Sequence, residues 1–142
     1  MISPFFISKE LLESRPIIDV FVENQETLRK EQVRAMIDTG AEHCCIRKDF
    51  AKVMNLNPCR NTLSISGYVK TQRPVYKANI VFPNNLKVAR QMTEFDIGSD
   101  FELILGMDII SRSDFSVTNT GERTIFSFTF PSQKLSADFK IL

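Results

Sequence analysis

Short apolar runs separated by polar turns recur along this chain, and they constrain its fold more than any other feature. Residues 16–23 (PIIDVFVE) form one run, and residues 28–38 follow a polar turn with Val33, Ala35 and Ile37 at alternate positions. Alternation with a period of two predicts β-strands, so these two segments should form a hairpin. Further strands are predicted over residues 43–48, 61–82 (two strands around a turn at 66–68), 86–97, 101–106 and 114–130 (a hairpin turning at 119–121).

Two short segments have helical spacing instead. Residues 49–56 place apolar side chains three to four positions apart, with Asp49 as the expected N-cap, and residues 107–113 predict a second short helix. The expected fold class is therefore all-β, with one or two short helices. The tail 131–142 fits either a disordered segment or an edge strand at a subunit contact.

The composition is that of one soluble globular domain. The chain has 142 residues, 43% of them hydrophobic and 25% charged, with a net charge of +1. We therefore expect a single domain over residues 1–142 and neither nucleic acid nor membrane as a partner. The chain has no secretory signal pattern and an odd number of cysteines, three, so a reducing, cytoplasmic location is expected.

The segment 35–45, AMIDTGAEHCC, places an acid at the end of an apolar strand. On its own, Asp38-Thr39-Gly40 is most often a turn, because all three residue types favour turns. Its context favours another interpretation. A second apolar strand ends at Gly106 further along the chain and leads at once into the second predicted helix.

These two blocks together resemble the retropepsin-like aspartic proteases. The matching residues are 37–41 (IDTGA) and 104–110 (ILGMDII), and a glycine-bearing hairpin at 65–68 lies between them, where that family has its flap. The resemblance covers roughly residues 16–130, and it looks most similar to small bacterial stand-alone members and retroelement proteases. It implies a closed β-barrel with a flap hairpin, active as a two-fold homodimer, with extensions at both ends of the 16–130 core.

The resemblance also implies an activity and its residues. Catalysis would be aspartic endopeptidase chemistry, with a water activated between two carboxylates that share one proton. The chain has a single Asp-Thr-Gly, so Asp38 supplies half of the site and a second copy supplies the other half. Thr39 would link the two active-site loops, Gly40 would allow close approach of the backbone, and Gly106 would pack behind the Asp38 loop.

A peptide or protein substrate is the implied ligand, with hydrophobic residues around the cut. The candidate substrate-binding residues are Ala41, Glu42, Ile65, Ser66, Gly67, Tyr68, Val69, Gly106 and Met107. Ala41 cannot donate the side-chain hydrogen bond that a serine or threonine there would give to the carboxylate. We therefore expect activity nearer neutral pH than in a stomach-type aspartic protease.

One position departs from the viral pattern. Many retroviral members have an arginine directly after the glycine of the second block, paired with an acid of the first block, whereas this chain has Met107. Glu42 consequently loses its expected partner, and Arg47 or Arg112 are the candidates to replace it.

The histidine and cysteines of the chain allow weaker alternatives. His43, Cys44, Cys45 and Cys59 suggest a zinc site, but adjacent residues of a strand point to opposite faces, so Cys44 and Cys45 do not suit one ion. The same geometry disfavours a thiol protease built on His43 and Cys44. We expect one buried and one half-exposed cysteine, no metal and no cofactor.

A more serious alternative is a non-catalytic dimerisation or peptide-binding module on the same fold, because a fold does not fix a function. In that case Asp38 would be a structural acid, and the cleft would hold a peptide without cutting it. Dependence of activity on the dimer would distinguish the two readings.

Overall fold

The computed structural model describes residues 3–96, 98 and 100–135, except for the side chain of Ser66. Ten strands and two short helices make up this part of the chain. The strands are β1 (Phe5–Glu10), β2 (Ile17–Glu23), β3 (Lys30–Ile37), β4 (Cys45–Arg47), β5 (Pro58–Ser66), β6 (Val69–Val81), β7 (Lys87–Phe95), β8 (Leu103–Leu105), β9 (Asp114–Asn119) and β10 (Thr124–Phe130). The helices are α1 (Lys48–Val53) and α2 (Met107–Ile110).

Seven of the strands form a sheet that closes on itself. Their order is β2-β3-β8-β4-β7-β6-β5, and β2 also pairs with β6, where Phe21 lies opposite Val81. The mostly β fold and the closed barrel predicted from the sequence are therefore confirmed.

The barrel core follows from the alternation seen in the sequence. Ile18 and Val20 of β2 are fully buried and lie opposite Ala35 and Val33 of β3, so these four side chains share one face. Side chains of the alternate positions form a smaller apolar cluster on the other face of the strands. Its members are Ile17, Met36, Cys45, Phe95, Phe101 and Ile104.

A three-stranded sheet in the order β1-β10-β9 packs against the barrel core. β1 pairs with β10 from Phe5 opposite Phe130 to Glu10 opposite Ile125. Phe126, Phe128 and Phe130 are buried, and the ring of Phe130 stacks on Phe82 of the barrel with centroids 4.4 Å apart. Sequence analysis assigned no strand to the residues that form β1, so the N-terminal extension contributes more structure than expected.

Two local expectations need correction or fall outside the described residues. Asp49 is not the N-cap of α1: the cap is Arg47, without a side-chain hydrogen bond, and Asp49 lies in the first turn and pairs with the Arg47 guanidinium at 2.5 Å. Residues 131–135 form no strand, and residues 136–142, the rest of the tail, lie outside the described residues. None of the helices in the described ranges is long and apolar enough to cross a membrane.

Candidate active site

Asp38 lies at the mouth of the barrel, immediately after β3. β3 runs parallel to β8, with Ile37 opposite Leu105, and the Asp38 amide continues this pairing by donating to the Leu105 carbonyl at 2.9 Å. Ile37 is buried and Asp38 is half-buried. Because side chains alternate along a strand, Asp38 shares the face of Met36 and not that of the main core. A strand can therefore end in a carboxylate without burying the charge.

The turn after β3 orients this carboxylate. The Gly40 amide donates to Oδ1 of Asp38 at 2.8 Å, and the Ala41 amide donates to the Asp38 carbonyl at 3.2 Å. A Cβ built on Gly40 would lie 3.2 Å from the same Oδ1, which is tighter than an ordinary contact. Thr39 and Gly40 are exposed at the tip of the turn. The three residues thus present an oriented carboxylate at the surface of one protomer.

Gly106 packs against the backbone of the loop that follows Asp38. A Cβ on Gly106 would lie 2.7 Å from the backbone of His43 and 2.8 Å from the Ala41 carbonyl oxygen, so no larger residue fits. The amide of Met107 donates to the Ala41 carbonyl at 2.7 Å, and that of Asp108 donates to the Glu42 carbonyl at 3.2 Å. The start of α2 and the Asp38 loop therefore form one hydrogen-bonded unit.

Asp108 is a positioning residue that sequence analysis missed. Its Oδ2 accepts from the amide of buried Cys44 at 3.2 Å, and its Oδ1 accepts from the Cys44 thiol at 3.2 Å and the Ile109 amide at 3.0 Å. Buried amides need such partners. The available signal was an acid two residues after Gly106, in the first turn of a helix, where acids are favoured.

Burial and nearby carboxylates raise the pKa of the Cys44 and Cys45 thiols. Burial, followed by the Asp108 carboxylate, raises the pKa of Cys44 far above its ordinary value. Burial raises the pKa of Cys45 to about 11, with further contributions from Asp108 and Asp38, while Arg73 of β6 acts in the opposite direction. Cys45 therefore lies within electrostatic reach of both Asp38 and Arg73. The expectation of one buried cysteine and one half-exposed cysteine is confirmed for Cys44 and Cys45.

The β5–β6 hairpin supplies the remaining candidate residues. Ser66 pairs with Val69 across a two-residue turn, in which Gly67 has a φ of 60°, a conformation that favours glycine. Ile65 and Val69 are 63% and 64% exposed, and Tyr68 is fully exposed. Among the described residues, no hydrogen bond joins this tip to the Asp38 loop. The structure thus brings Asp38–Glu42 together with Gly106 and Met107, and it leaves the hairpin tip separate.

The replacement partners expected for Glu42 are not found within one protomer. Glu42 is exposed and makes no ion pair with any residue that the structure describes. Arg47 pairs with Asp49, and the backbone of Arg112 bonds to Ser132 and Ile109. Met107 is 39% exposed beside the loop. In the described part of the chain, backbone bonds and Asp108 hold the loop.

In the described part of the chain, no group of three or more histidine, cysteine or acidic side chains is placed to hold a metal ion. His43 is exposed whereas Cys44 is fully buried. A nucleophilic pair of the two would need both groups at one accessible point, so the geometry does not favour a thiol protease.

Comparisons with known proteins agree with this arrangement. Residues 25–112 match the model of the family described as "gag-polyprotein putative aspartyl protease". A search of curated proteins found no match. Among solved structures, a retropepsin-like aspartic protease from Rickettsia conorii is 18% identical, with a TM-score of 0.56 over 89% of this chain and 93% of that one.

Two viral proteases are also similar. The simian foamy virus protease is 18% identical, with a TM-score of 0.46 over 64% of this chain and 89% of its own. The EIAV protease, solved with the inhibitor HBY-793, is 20% identical, with a TM-score of 0.46 over 68% of this chain and 86% of its own. The family match covers more than half of the sequence, and the Rickettsia structure shares the fold. The chain therefore belongs to the gag-polyprotein aspartyl protease family and has a retropepsin-like fold.

Proposed function

We propose that the protein is an aspartic endopeptidase that works as a two-fold homodimer. The observation that carries the proposal is the oriented Asp38 carboxylate at the mouth of the barrel, held by the Gly40 amide at 2.8 Å. One protomer contributes one such carboxylate, whereas this chemistry needs two. Thr39 and Gly40 are exposed at the loop tip, which suits a contact with the same loop of a second copy.

In the proposed mechanism, the two Asp38 carboxyl groups face each other across the two-fold axis and share one proton, because two carboxylates this close do not both ionise easily. The ionised group takes a proton from a water as its oxygen attacks the scissile carbonyl carbon. The protonated group donates its proton to the carbonyl oxygen. Collapse of the tetrahedral intermediate then transfers a proton to the leaving nitrogen and breaks the C–N bond.

An extended peptide with hydrophobic residues around the cut is the proposed substrate. The β5–β6 hairpin exposes Leu63, Ile65, Tyr68 and Val69, and on the proposed function it closes over the peptide as a flap and excludes water.

Ala41 leaves the Asp38 carboxylate without a side-chain donor at that position. The expected pH–rate profile therefore has its maximum nearer neutral pH than that of a stomach-type enzyme. The three unpaired thiols suit a reducing, cytoplasmic setting.

The test compares the wild type with Asp38→Asn on a denatured protein mixture from pH 3 to pH 8. New termini are identified by mass spectrometry. Asparagine keeps the shape of the side chain and removes the shared-proton chemistry, so we expect cuts in the wild type that disappear in the variant. Cuts that persist would come from a contaminating protease. A folded dimer that makes no cuts would favour the peptide-binding module.

A further inference from the structure

A polar cleft of about 580 Å³ lies beside the Asp38 loop and shares Asp108 with the candidate active site. Its walls come from the root of the β5–β6 hairpin, from β7, from the loop after Ala41 and from the start of α2. Its polar lining includes His43, Arg60, Thr62, Lys77, Gln91 and Asp108.

Arg60 and Lys77 line the cleft, and neither forms an ion pair with any described residue. The Nε of Arg60 donates to the Gln91 side-chain oxygen at 2.9 Å. Both terminal nitrogens of Arg60 remain free of hydrogen bonds to the described residues. Lys77 is exposed and has no ion pair in the described part of the chain.

The acid in the cleft does not balance these cations. Asp108 uses both carboxylate oxygens on its own chain: one binds the Cys44 amide, and the other binds the Cys44 thiol and the Ile109 amide. Arg60 and Lys77 therefore have no carboxylate partner among the lining residues. The complementary ligand is an anion.

Strand register connects the cleft to the active centre. Arg60 lies opposite Val75, Val75 opposite Thr93, and Thr93 opposite Cys45, so one row of residues crosses four strands. Cys45 in turn lies opposite Ile104, and Ile104 lies opposite Met36, two residues before Asp38. Lys77 lies two residues beyond this row, so its Cα is roughly 12 Å from that of Cys45, from strand spacings of ~4.8 Å and rises of ~3.3 Å.

We propose that this cleft binds an acidic side chain of the peptide substrate, about three to five residues from the scissile bond, since an extended peptide advances ~3.3 Å per residue. The inference rests on the proposed function. A two-fold homodimer carries one such cleft per protomer, so an acid on either side of the cut meets one.

The test uses a fluorescein-labelled dodecapeptide with Leu-Phe at its centre and glutamate at the third to fifth positions on each side, and a twin peptide with glutamine there. kcat/KM is measured with the wild type, and binding to Asp38→Asn is measured by fluorescence anisotropy. We expect the glutamate peptide to be favoured about fivefold to tenfold in both assays, and less so at high salt.

The variants Arg60→Gln and Lys77→Gln should each reduce this preference, whereas Lys52→Gln on α1, which does not line the cleft, should leave it unchanged. Equal kcat/KM and equal affinity for the two peptides, or no binding of either, would overturn the inference. If neither peptide is cut but Asp38→Asn still prefers the glutamate peptide, the cleft assignment stands and the proposed catalysis fails. These outcomes therefore distinguish a failure of the cleft assignment from a failure of the proposed catalysis.

Discussion

Asp38 and Gly106 have fixed identities for different physical reasons. Asp38 supplies a functional group, and its neighbours Thr39 and Gly40 form the turn that orients it. Gly106 is required because a side chain does not fit there: backbone atoms of His43 and Ala41 lie within 2.8 Å of where its Cβ would be. The first residue should matter mainly for chemistry and the second mainly for structure.

Gly106→Ala should lower the free energy of unfolding by about 2 to 3 kcal/mol, because the clash is with backbone and cannot be relieved by a rotamer change. The backbone movement that relieves this clash should also displace the Asp38 loop and abolish any activity. Gly98→Ala is the matched control: a Cβ there meets nothing within 4 Å, so stability should stay within about 0.5 kcal/mol of the wild type. Urea unfolding measures both. Equal stability of the two variants would contradict the packing described here.

The cysteines should differ in alkylation by iodoacetamide at pH 8. The thiolate is the reactive form, and a pKa raised to about 11 keeps Cys45 almost fully protonated at that pH, while Cys44 is also buried. Cys59 is exposed and should be labelled first. Peptide mapping by mass spectrometry reads the order, and Cys45 should gain label as the pH approaches 11. Labelling of Cys45 before Cys59 would contradict this order.

At the scale of elements, the β5–β6 hairpin differs from the rest of the barrel. Its root is in the closed sheet, where Val75 and Tyr76 are buried, but the side chains near its turn face solvent. Exposed apolar side chains at the end of a long hairpin contribute little to the stability of one protomer. These side chains would become buried only if another molecule packed against them.

Tyr68→Ala should leave the free energy of unfolding within about 0.5 kcal/mol of the wild type, because the side chain is fully exposed. If the hairpin closes over substrate, kcat/KM for an apolar peptide should fall about tenfold, as expected for the loss of one aromatic contact. Phe6→Ala on β1, where Phe6 is 63% exposed and far from the site in the topology, is the control and should not change kcat/KM. Unchanged kinetics for Tyr68→Ala would count against a flap role.

The whole molecule is a closed barrel, and on the proposed function one protomer carries half of the catalytic site. Pairing of β2 with β6 closes the sheet, and β1 pairs with β10 of its own chain, so the N-terminal strand is used within the protomer. Activity by the proposed mechanism therefore requires a dimer, so specific activity should depend on the protein concentration.

Specific activity should fall on dilution below the dimer dissociation constant. In that range the dimer fraction is proportional to total protein, so a tenfold dilution should lower specific activity about tenfold. Serial dilution with a fluorogenic peptide, alongside sedimentation measurements, tests this. Activity per molecule that stays constant while the protein becomes monomeric would show that the two-copy site is wrong.

Much of this architecture could be predicted from the sequence because local patterns encode it. Period-two alternation located most strands of the barrel, and the sequence Asp38-Thr39-Gly40 after an apolar run marked the candidate catalytic carboxylate. β1 was missed because residues 5–10 have partners only in β10, over a hundred positions away. Asp49 was taken for a cap because composition does not reveal that Arg47 occupies that position.

The sequence by itself determined which residue types were available and on which face of a strand each would lie, since alternation is a property of the local backbone. Only the tertiary structure decided which of them meet. Asp108 reaches Cys44, and Arg60, Lys77 and His43 line one cleft, because parallel and antiparallel register brings distant segments side by side. A tight turn fixes the register within a hairpin, but the register between segments far apart in the chain depends on how whole strands pair.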